Sequence, residues 1–381
     1  MPMNRGALPQ PGEAGSAMPM ESAISRRRWL LGAAAFGLSP SWATPGTPRL
    51  IAAWQAAAKQ HIGVIEMGST QWSIRHALAV PTRAHGLTVE ASGSVLAVAR
   101  RPGDWLLRWH PASGQTQWHW IEDDRRFNGH AVASTDGHTV WTTETDLETA
   151  QGLLAVRDAA TLEKTAECST HGMDPHELLV LPHRVGDIPA GSLVVANGGI
   201  PTLPETGRSK RELGRMDASL VALDPRDGGM LGQWRLPDPH LSIRHLAWDP
   251  DSATVGIALQ AEHRETAVRQ RAPVFAAWDG RQLQAARKQP PVQGYGGDIC
   301  ALPGGGFVVS CPRADTLALF DASARWAGNQ AHREAYALAG NGRHWWASGA
   351  ESVWCAPEGN QTHAAGGPVQ FDNHWQNWAR T

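Results

Sequence analysis

Gly129-His130-Ala131-Val132-Ala133-Ser134, a turn Thr135-Asp136-Gly137, then Thr139-Val140-Trp141-Thr142, and after a polar loop Gly152-Leu153-Leu154-Ala155-Val156-Arg157-Asp158: this stretch decides the fold. Each apolar piece is four to seven residues long, which suits a strand, and the Gly-containing turn between the first two is a hairpin signal. The unit is a His or acid, a short strand, a turn, a second strand, a polar loop, and a third strand ending near Asp. It recurs. An earlier copy runs His85-Gly86-Leu87-Thr88-Val89, turn Ser92-Gly93, Val95-Leu96-Ala97-Val98. A later one runs Pro175-His176-Glu177-Leu178-Leu179-Val180, Ser192-Leu193-Val194-Val195-Ala196, Ser219-Leu220-Val221-Ala222-Leu223-Asp224. Further copies start at Arg244-His245-Leu246-Ala247-Trp248, at Asp298-Ile299-Cys300-Ala301-Leu302, and near Glu334.

A period of about 40–50 residues with four short strands per unit is that of a propeller blade. Six copies are internal. Ile62-Gly63-Val64-Ile65 reads as an outer strand near one end of the chain and Phe371-Asp372-Asn373-His374-Trp375 as an inner-strand start near the other. Joined, they make a seventh blade and close the ring, which removes the free sheet edges that an open array would expose. The expectation is an all-β fold, a β-propeller of seven four-stranded blades. Residues 197–217 form an insertion within the third unit. Trp248, Trp278 and Trp354 are expected in blade cores.

The N-terminus has a different composition. Ser25-Arg26-Arg27-Arg28 precedes an apolar run from Trp29 to Leu38, followed by Ser41-Trp42-Ala43. Paired arginines, a run too short to span a bilayer and a small-x-small cleavage site, in that order, predict a twin-arginine (Tat) signal peptide over residues 1–43. Residues 44–381 are then a single propeller domain, exported to the periplasm and without stable membrane insertion. The formal charge of −2 argues against a general nucleic-acid binder.

Four cysteines permit two readings. Cys300 and Cys311 flank the turn Pro303-Gly304-Gly305-Gly306, so a cross-strand disulfide is one; four free, partly buried thiols are the other. No CxxC occurs, and neither does a GxSxG elbow or a phosphate-binding loop.

In a propeller, the residues that open the inner strands gather around the axis at one mouth. Here they are His85, His130, His176, His245, Asp298, Glu334 and His374. Loops between second and third strands return to that mouth and bring Arg100 and Arg101, Glu144 and Asp146, Asn197, Glu262 and His263, and Arg313 and Asp315. Neutral imidazoles beside carboxylates suit a transition metal such as iron, copper or zinc, and all seven axial residues are candidate metal ligands. Arg101, Asn197 and Arg244 are candidate contacts for an anionic ligand. The plainer alternative is that each blade-start His hydrogen-bonds within its own blade. His85 and His130, each beside a glycine, fit that reading best. His176-Glu177 and Arg244-His245 fit it less well, because a second buried ionisable group needs its own partner.

Five stretches resemble the bacterial domain-of-unknown-function 1513 family: Arg126-Phe127-Asn128-Gly129-His130, Asp174-Pro175-His176-Glu177-Leu178, Leu193 to Ile200, Leu241-Ser242-Ile243-Arg244-His245-Leu246-Ala247, and Phe371-Asp372-Asn373-His374. Thr142-Thr143-Glu144 is similar as well. The resemblance implies a propeller of the quinoprotein or YVTN type. It also implies a setting near periplasmic metal-uptake and imelysin-like proteins, which become the expected partners in iron or copper acquisition. One departure is Ala131, where relatives tend to carry glycine after the histidine.

Three functions follow as expectations. The first is binding of a metal ion or metal-chelate at the axial cluster. The second is an enzyme, a lactonase or a metal-dependent hydrolase or oxidase, with Glu144, Glu177 or His176 as base and Arg244 steadying an anion. The third is a scaffold that docks a partner protein.

Overall fold

The computed structural model describes residues 47–201, 212–350, 352–356, 360–364 (backbone only) and 369–378. The predicted signal segment and most of the 197–217 insertion, residues 202–211, lie outside these.

Six blades follow one another along the chain. Blade 1 contains β1 (Ala84–Val89), β2 (Val95–Ala99), β3 (Trp105–Trp109) and β4 (Thr116–Trp120). Blade 2 contains β5 (Arg125–Ala133), β6 (Thr139–Asp146), β7 (Gly152–Asp158) and β8 (Lys164–Ser169). Blade 3 contains β9 (Pro175–Val180), β10 (Leu193–Asn197), β11 (Ser219–Leu223) and β12 (Met230–Trp234). Blade 4 contains β13 (Leu241–Asp249), β14 (Thr254–Ala261), β15 (Phe275–Trp278) and β16 (Leu283–Ala285). Blade 5 contains β17 (Ile299–Ala301), β18 (Phe307–Cys311), β19 (Thr316–Phe320) and β20 (Trp326–Ala331). Blade 6 contains β21 (Leu338–Gly340), β22 (Trp345–Ser348), β23 (Ser352–Ala356) and β24 (Asn360–Ala364).

The seventh blade is composite. Its inner strand is the C-terminal β25 (Gln370–Asn377), which pairs with β26 (Arg49–Ala56) from the other end of the chain; β27 (Lys59–Met67) and β28 (Gln71–Val80) complete it. Chain ends thus zip one blade together, as the end segments predict. All neighbours within a blade are antiparallel. The outermost strands of blades 6 and 7 also touch in parallel at His363↔Gln71 and Ala364↔Trp72.

Both faces of each blade are buried, which explains runs such as Leu193-Val194-Val195-Ala196 with no polar alternation. The apolar clusters sit between blades. Leu96, Val98 and Leu106 of blade 1 meet Phe127 and Val140 of blade 2. Trp141 and Leu154 meet Leu178 and Val195 between blades 2 and 3. Equivalent clusters fill the 3–4, 4–5, 5–6, 6–7 and 7–1 interfaces. The core is therefore a ring of seven interfaces, and no blade buries its hydrophobic faces alone. Of the three tryptophans expected in cores, Trp278 is fully buried, and Trp248 and Trp354 are half-buried against these clusters.

Register answers the cysteine question. Cys300 lies opposite Val308 and Cys311 opposite Thr316, and the two do not form a disulfide. The hairpin is centred on Gly304, closer to Cys300 than to Cys311, so the two cysteines fall out of register. Burial pushes the Cys311 thiol up to about 12, so it is an inert core residue.

Candidate metal centre on the propeller axis

Five inner strands share a deviation from regular pairing. In β1 the register slips between Ala84 and Leu87, in β5 between Phe127 and Ala131, in β9 between Pro175 and Leu178, and in β13 between Ile243 and His245. In β25, paired to β26, it slips between Phe371 and Trp375. Each slip contains or adjoins the strand's histidine: His85, His130, His176, His245 and His374. A β-bulge turns a side chain out of the alternation of its strand, and here it aims the imidazole away from the inter-blade core toward the axis. Gly129 shows what the approach requires. Its φ is +106°, and a Cβ there would lie 2.7 Å from His85 Cδ2. The tight contact falls at Gly129, so Ala131 is accommodated without relaxing it.

The five imidazoles converge. Nine pairs of rings have centroids between 4.3 Å (His245–His374) and 5.8 Å (His85–His245) apart. His85 Nε2 is 3.3 Å from His176 Nε2. Two triads, His85-His130-His176 and His85-His245-His374, have donor atoms all within 4.8 Å of one another. All five residues are buried. His85 Nδ1, His130 Nε2, His176 Nδ1 and His374 Nε2 have no hydrogen-bond partner among the described residues. The expectation that each His bonds within its own blade is therefore not what the geometry shows.

Burial, reinforced by neighbouring imidazoles and by Arg100, holds His85 well below the usual imidazole range. Burial does the same to His130 against the pull of Glu177. Burial and nearby His and Arg groups do it to His176 and His245. These four are neutral imidazoles with lone pairs available. His374 differs: burial opposes its charge, but the carboxylates of Asp298, Glu177 and Asp372 together raise it. Asp298 Oδ1 lies 3.1 Å from His374 Nδ1, and burial raises Asp298 in turn.

Asp298 thus joins the cluster, from the residue just before β17. Glu177 joins it too, with Oε2 3.4 Å from His245 Nδ1 and Oε1 3.9 Å from His130 Nδ1; Oε2 also accepts the Leu246 N–H at 2.8 Å. Three expected residues do not join. Glu334 precedes β21 by four residues at φ +52°, with its N–H on Asp315 Oδ1 and its side chain 43 % exposed, so it is no axial ligand. Glu144 is fully buried between blades and held by Arg157 Nη2 at 2.6 Å and Thr142 Oγ1 at 2.7 Å, which leaves it no role as a base at the mouth. Asn197 is fully buried, with its Nδ2 on the Thr170 carbonyl, and none of its hydrogen bonds reaches the axial histidines.

A charged layer covers the histidines on the face where the inner strands start. Arg101 and Arg244 both pair with Asp174, the latter at 3.0 Å; Arg83 and Arg100 both pair with Asp372, the latter at 3.3 Å. Arg83, Asp174 and Asp372 were not singled out from sequence. A signal existed, because each stands two residues before its histidine (Arg83/His85, Asp174/His176, Asp372/His374). Toward the opposite face, a cavity of about 560 Å³ reaches His130, Glu177 and His374. A second, of about 460 Å³, reaches Glu177, Asp298 and His374. Both are lined by the later residues of the inner strands and the hairpin turns that follow them. This corrects the expectation that the site is approached from the strand-start mouth.

The fold is similar to that of virginiamycin B lyase from Staphylococcus aureus, with a TM-score of 0.53 and 12 % identity over 73 % of this chain and 82 % of that one. A streptogramin B lyase structure matches with a TM-score of 0.55 and 11 % identity over 76 % and 86 % of the two chains. The structure of U3-55K matches with 0.52 and 12 % over 78 % and 85 %. At such identity the likeness is one of fold alone. No curated protein matches the chain. The family model described as "Protein of unknown function (DUF1513)" matches residues 78–378, from the end of β28 through the closing inner strand, and the chain belongs to that family.

Proposed function

We propose that this propeller binds a transition-metal ion on its axis, through imidazoles drawn from His85, His130, His176, His245 and His374. The observation that carries the reading is the mutual spacing of the rings. Two imidazoles on one ion at ~2.1 Å have ring centroids about 4.6 Å apart at a right angle and about 5.3 Å apart at a tetrahedral angle. The rings here span 4.3–5.8 Å. Buried, neutral and unpartnered nitrogens are costly unless something completes them. Imidazole donors with two carboxylates alongside suit iron, copper or zinc better than calcium or magnesium. Our reading is of a periplasmic metal-handling protein, exported by the Tat route, whose partners are metal-uptake proteins of the same compartment.

A second reading keeps the same centre and adds chemistry. The cavity that reaches His130, Glu177 and His374 is large enough for a small molecule, so an enzyme with Glu177 as base would use that face.

Elemental analysis of untagged protein from its native compartment tests the first reading, beside a His176→Ala/His245→Ala double variant. Stoichiometric metal in the wild type and none in the variant is the expected result. No metal in either, and none taken up on titration with zinc, copper or iron, sinks the proposal.

A further inference from the structure

The two ends of the axis carry opposite charge. On the strand-start side, four arginines (Arg83, Arg100, Arg101, Arg244) face three carboxylates, Asp174, Asp372 and, beside Arg244, Glu262. On the other side, neither cavity is lined by a Lys or Arg. Their walls carry Glu90, Glu177, Asp251 and Asp298 instead. Glu90 is neutralised by Arg108, which donates to both of its oxygens at 2.6 and 2.8 Å. Asp298 is balanced by His374, 3.1 Å away, while Glu177 and Asp251 stand in the wall without an arginine or lysine beside them among the described residues. The two cavities adjoin at Glu177, His374 and Gln376, so both lead to the same part of the cluster.

Glu177 is where cavities and cluster meet. Its side chain is 20 % exposed, it lines both cavities, and it lies beside His130 and His245. The Leu246 N–H holds one oxygen in place. Carboxylates along a low-dielectric passage focus a negative potential and raise the local cation concentration, while an arginine layer at the other end repels cations.

We infer that the axial centre is loaded from the face opposite the arginines, by a free hydrated divalent cation, with Glu177 the last carboxylate it meets before the imidazoles. An anionic metal-chelate is excluded from this route. The inference rests on the proposed axial metal site and adds to it the direction and the chemical form in which the ion arrives.

Stopped-flow uptake of Co²⁺ by the exported, signal-free protein, followed by the visible absorbance of imidazole-bound cobalt, tests it. Gln376 is exposed and lines both cavities, so its substitution changes their charge without touching a ligand. Gln376→Arg should slow uptake about tenfold at low salt, and Gln376→Glu should speed it. The Gln376→Arg effect should shrink in ~0.5 M salt. Both variants should keep the wild-type stoichiometry at equilibrium. Glu177→Gln should slow uptake as well. With Co²⁺ supplied as its nitrilotriacetate complex, the rate should follow free Co²⁺ alone. Wild-type rates in Gln376→Arg and Glu177→Gln, or a rate that rises with chelate at constant free Co²⁺, overturn the route while the metal site stands. No uptake by any variant at equilibrium overturns the site and the route together.

Discussion

Blades 1, 2, 3, 4 and 7 carry a bulged inner strand and an axial histidine; blades 5 and 6 carry neither. In blade 5, Ile299, Cys300 and Ala301 pair in unbroken register with Val309, Val308 and Phe307. In blade 6, Leu338, Ala339 and Gly340 pair likewise with Ala347, Trp346 and Trp345. The residues just before these short strands are Asp298 and Ala337. Asp298 supports the histidines by accepting from His374 and the Leu338 N–H, and Ala337 is plain core. A regular strand sends alternate residues into the two inter-blade interfaces and has none to spare for the axis. The bulge frees one residue per blade from that duty. The axial cluster is thus built from defects in pairing, and the two blades without defects add a carboxylate and a wall.

The largest effect that would break this comparison is on pH, because four bulged blades act at once. His85, His130, His176 and His245 are held well below the unfolded value of about 6.5. Between the folded and unfolded values the unfolded chain binds more protons, so stability is full above pH ~6.5 and falls as pH drops below it. His374, raised by Asp298, has the opposite sign: its contribution is present at low pH and lost as pH rises through its folded value. Asp298, raised by burial, has the same sign as His374, and these two against four leave a net fall. Metal-free protein should therefore lose thermal stability from pH 7.5 to 5.5, and His→Gln substitutions in the bulged blades should flatten that slope. A flat Tm profile in the wild type would mean that these imidazoles are not buried together.

A smaller effect compares one glycine from each kind of blade. Gly129→Ala forces a left-handed φ on alanine and drives its Cβ against His85. The cost should be about 3 kcal/mol in urea denaturation, with weaker metal binding alongside. Gly340→Ala in blade 6 meets nothing nearer than 3.3 Å and needs no such φ. It should change stability by less than about 1 kcal/mol. Equal costs would show that the bulge is not the strained element.

The smallest effect concerns the support that blade 5 gives to blade 7. Asp298→Asn removes the charge that holds His374 up. The His374 titration followed by NMR should move to lower pH in the metal-free protein, with a stability change of about 1–2 kcal/mol. An unmoved His374 titration would place Asp298 outside the cluster.

How much of this was legible in the sequence varies by residue, for a physical reason. The repeat is local: a His or acid, an apolar run, a Gly turn and a second run specify a hairpin wherever they occur, and His85, His130, His176, His245 and His374 were found by their place in it. Glu334 shows the limit. It looked like a sixth opening residue, but its strand is only three residues long and starts at Leu338, so counting from the repeat placed the opening too early. Glu144 shows another. A carboxylate in a loop toward the mouth and one clamped by a buried Arg157 read alike, because the clamp comes from the next strand of the sheet, thirteen residues away. The Arg83–Asp372 pair spans nearly the whole chain, and no local pattern announces it.

The sequence by itself determined the β-propeller, its seven blades, the joining of its two ends in one of them, and the identity of the axial histidines, because strand, turn and repeat are written in short-range alternation. Only the tertiary structure decided that five inner strands slip register to aim those histidines inward, that arginines cover one end of the axis and carboxylates line the other, and which acids reach the centre. Those features depend on pairing between strands and blades distant in the chain, where one residue of register separates a buried core position from an axial ligand.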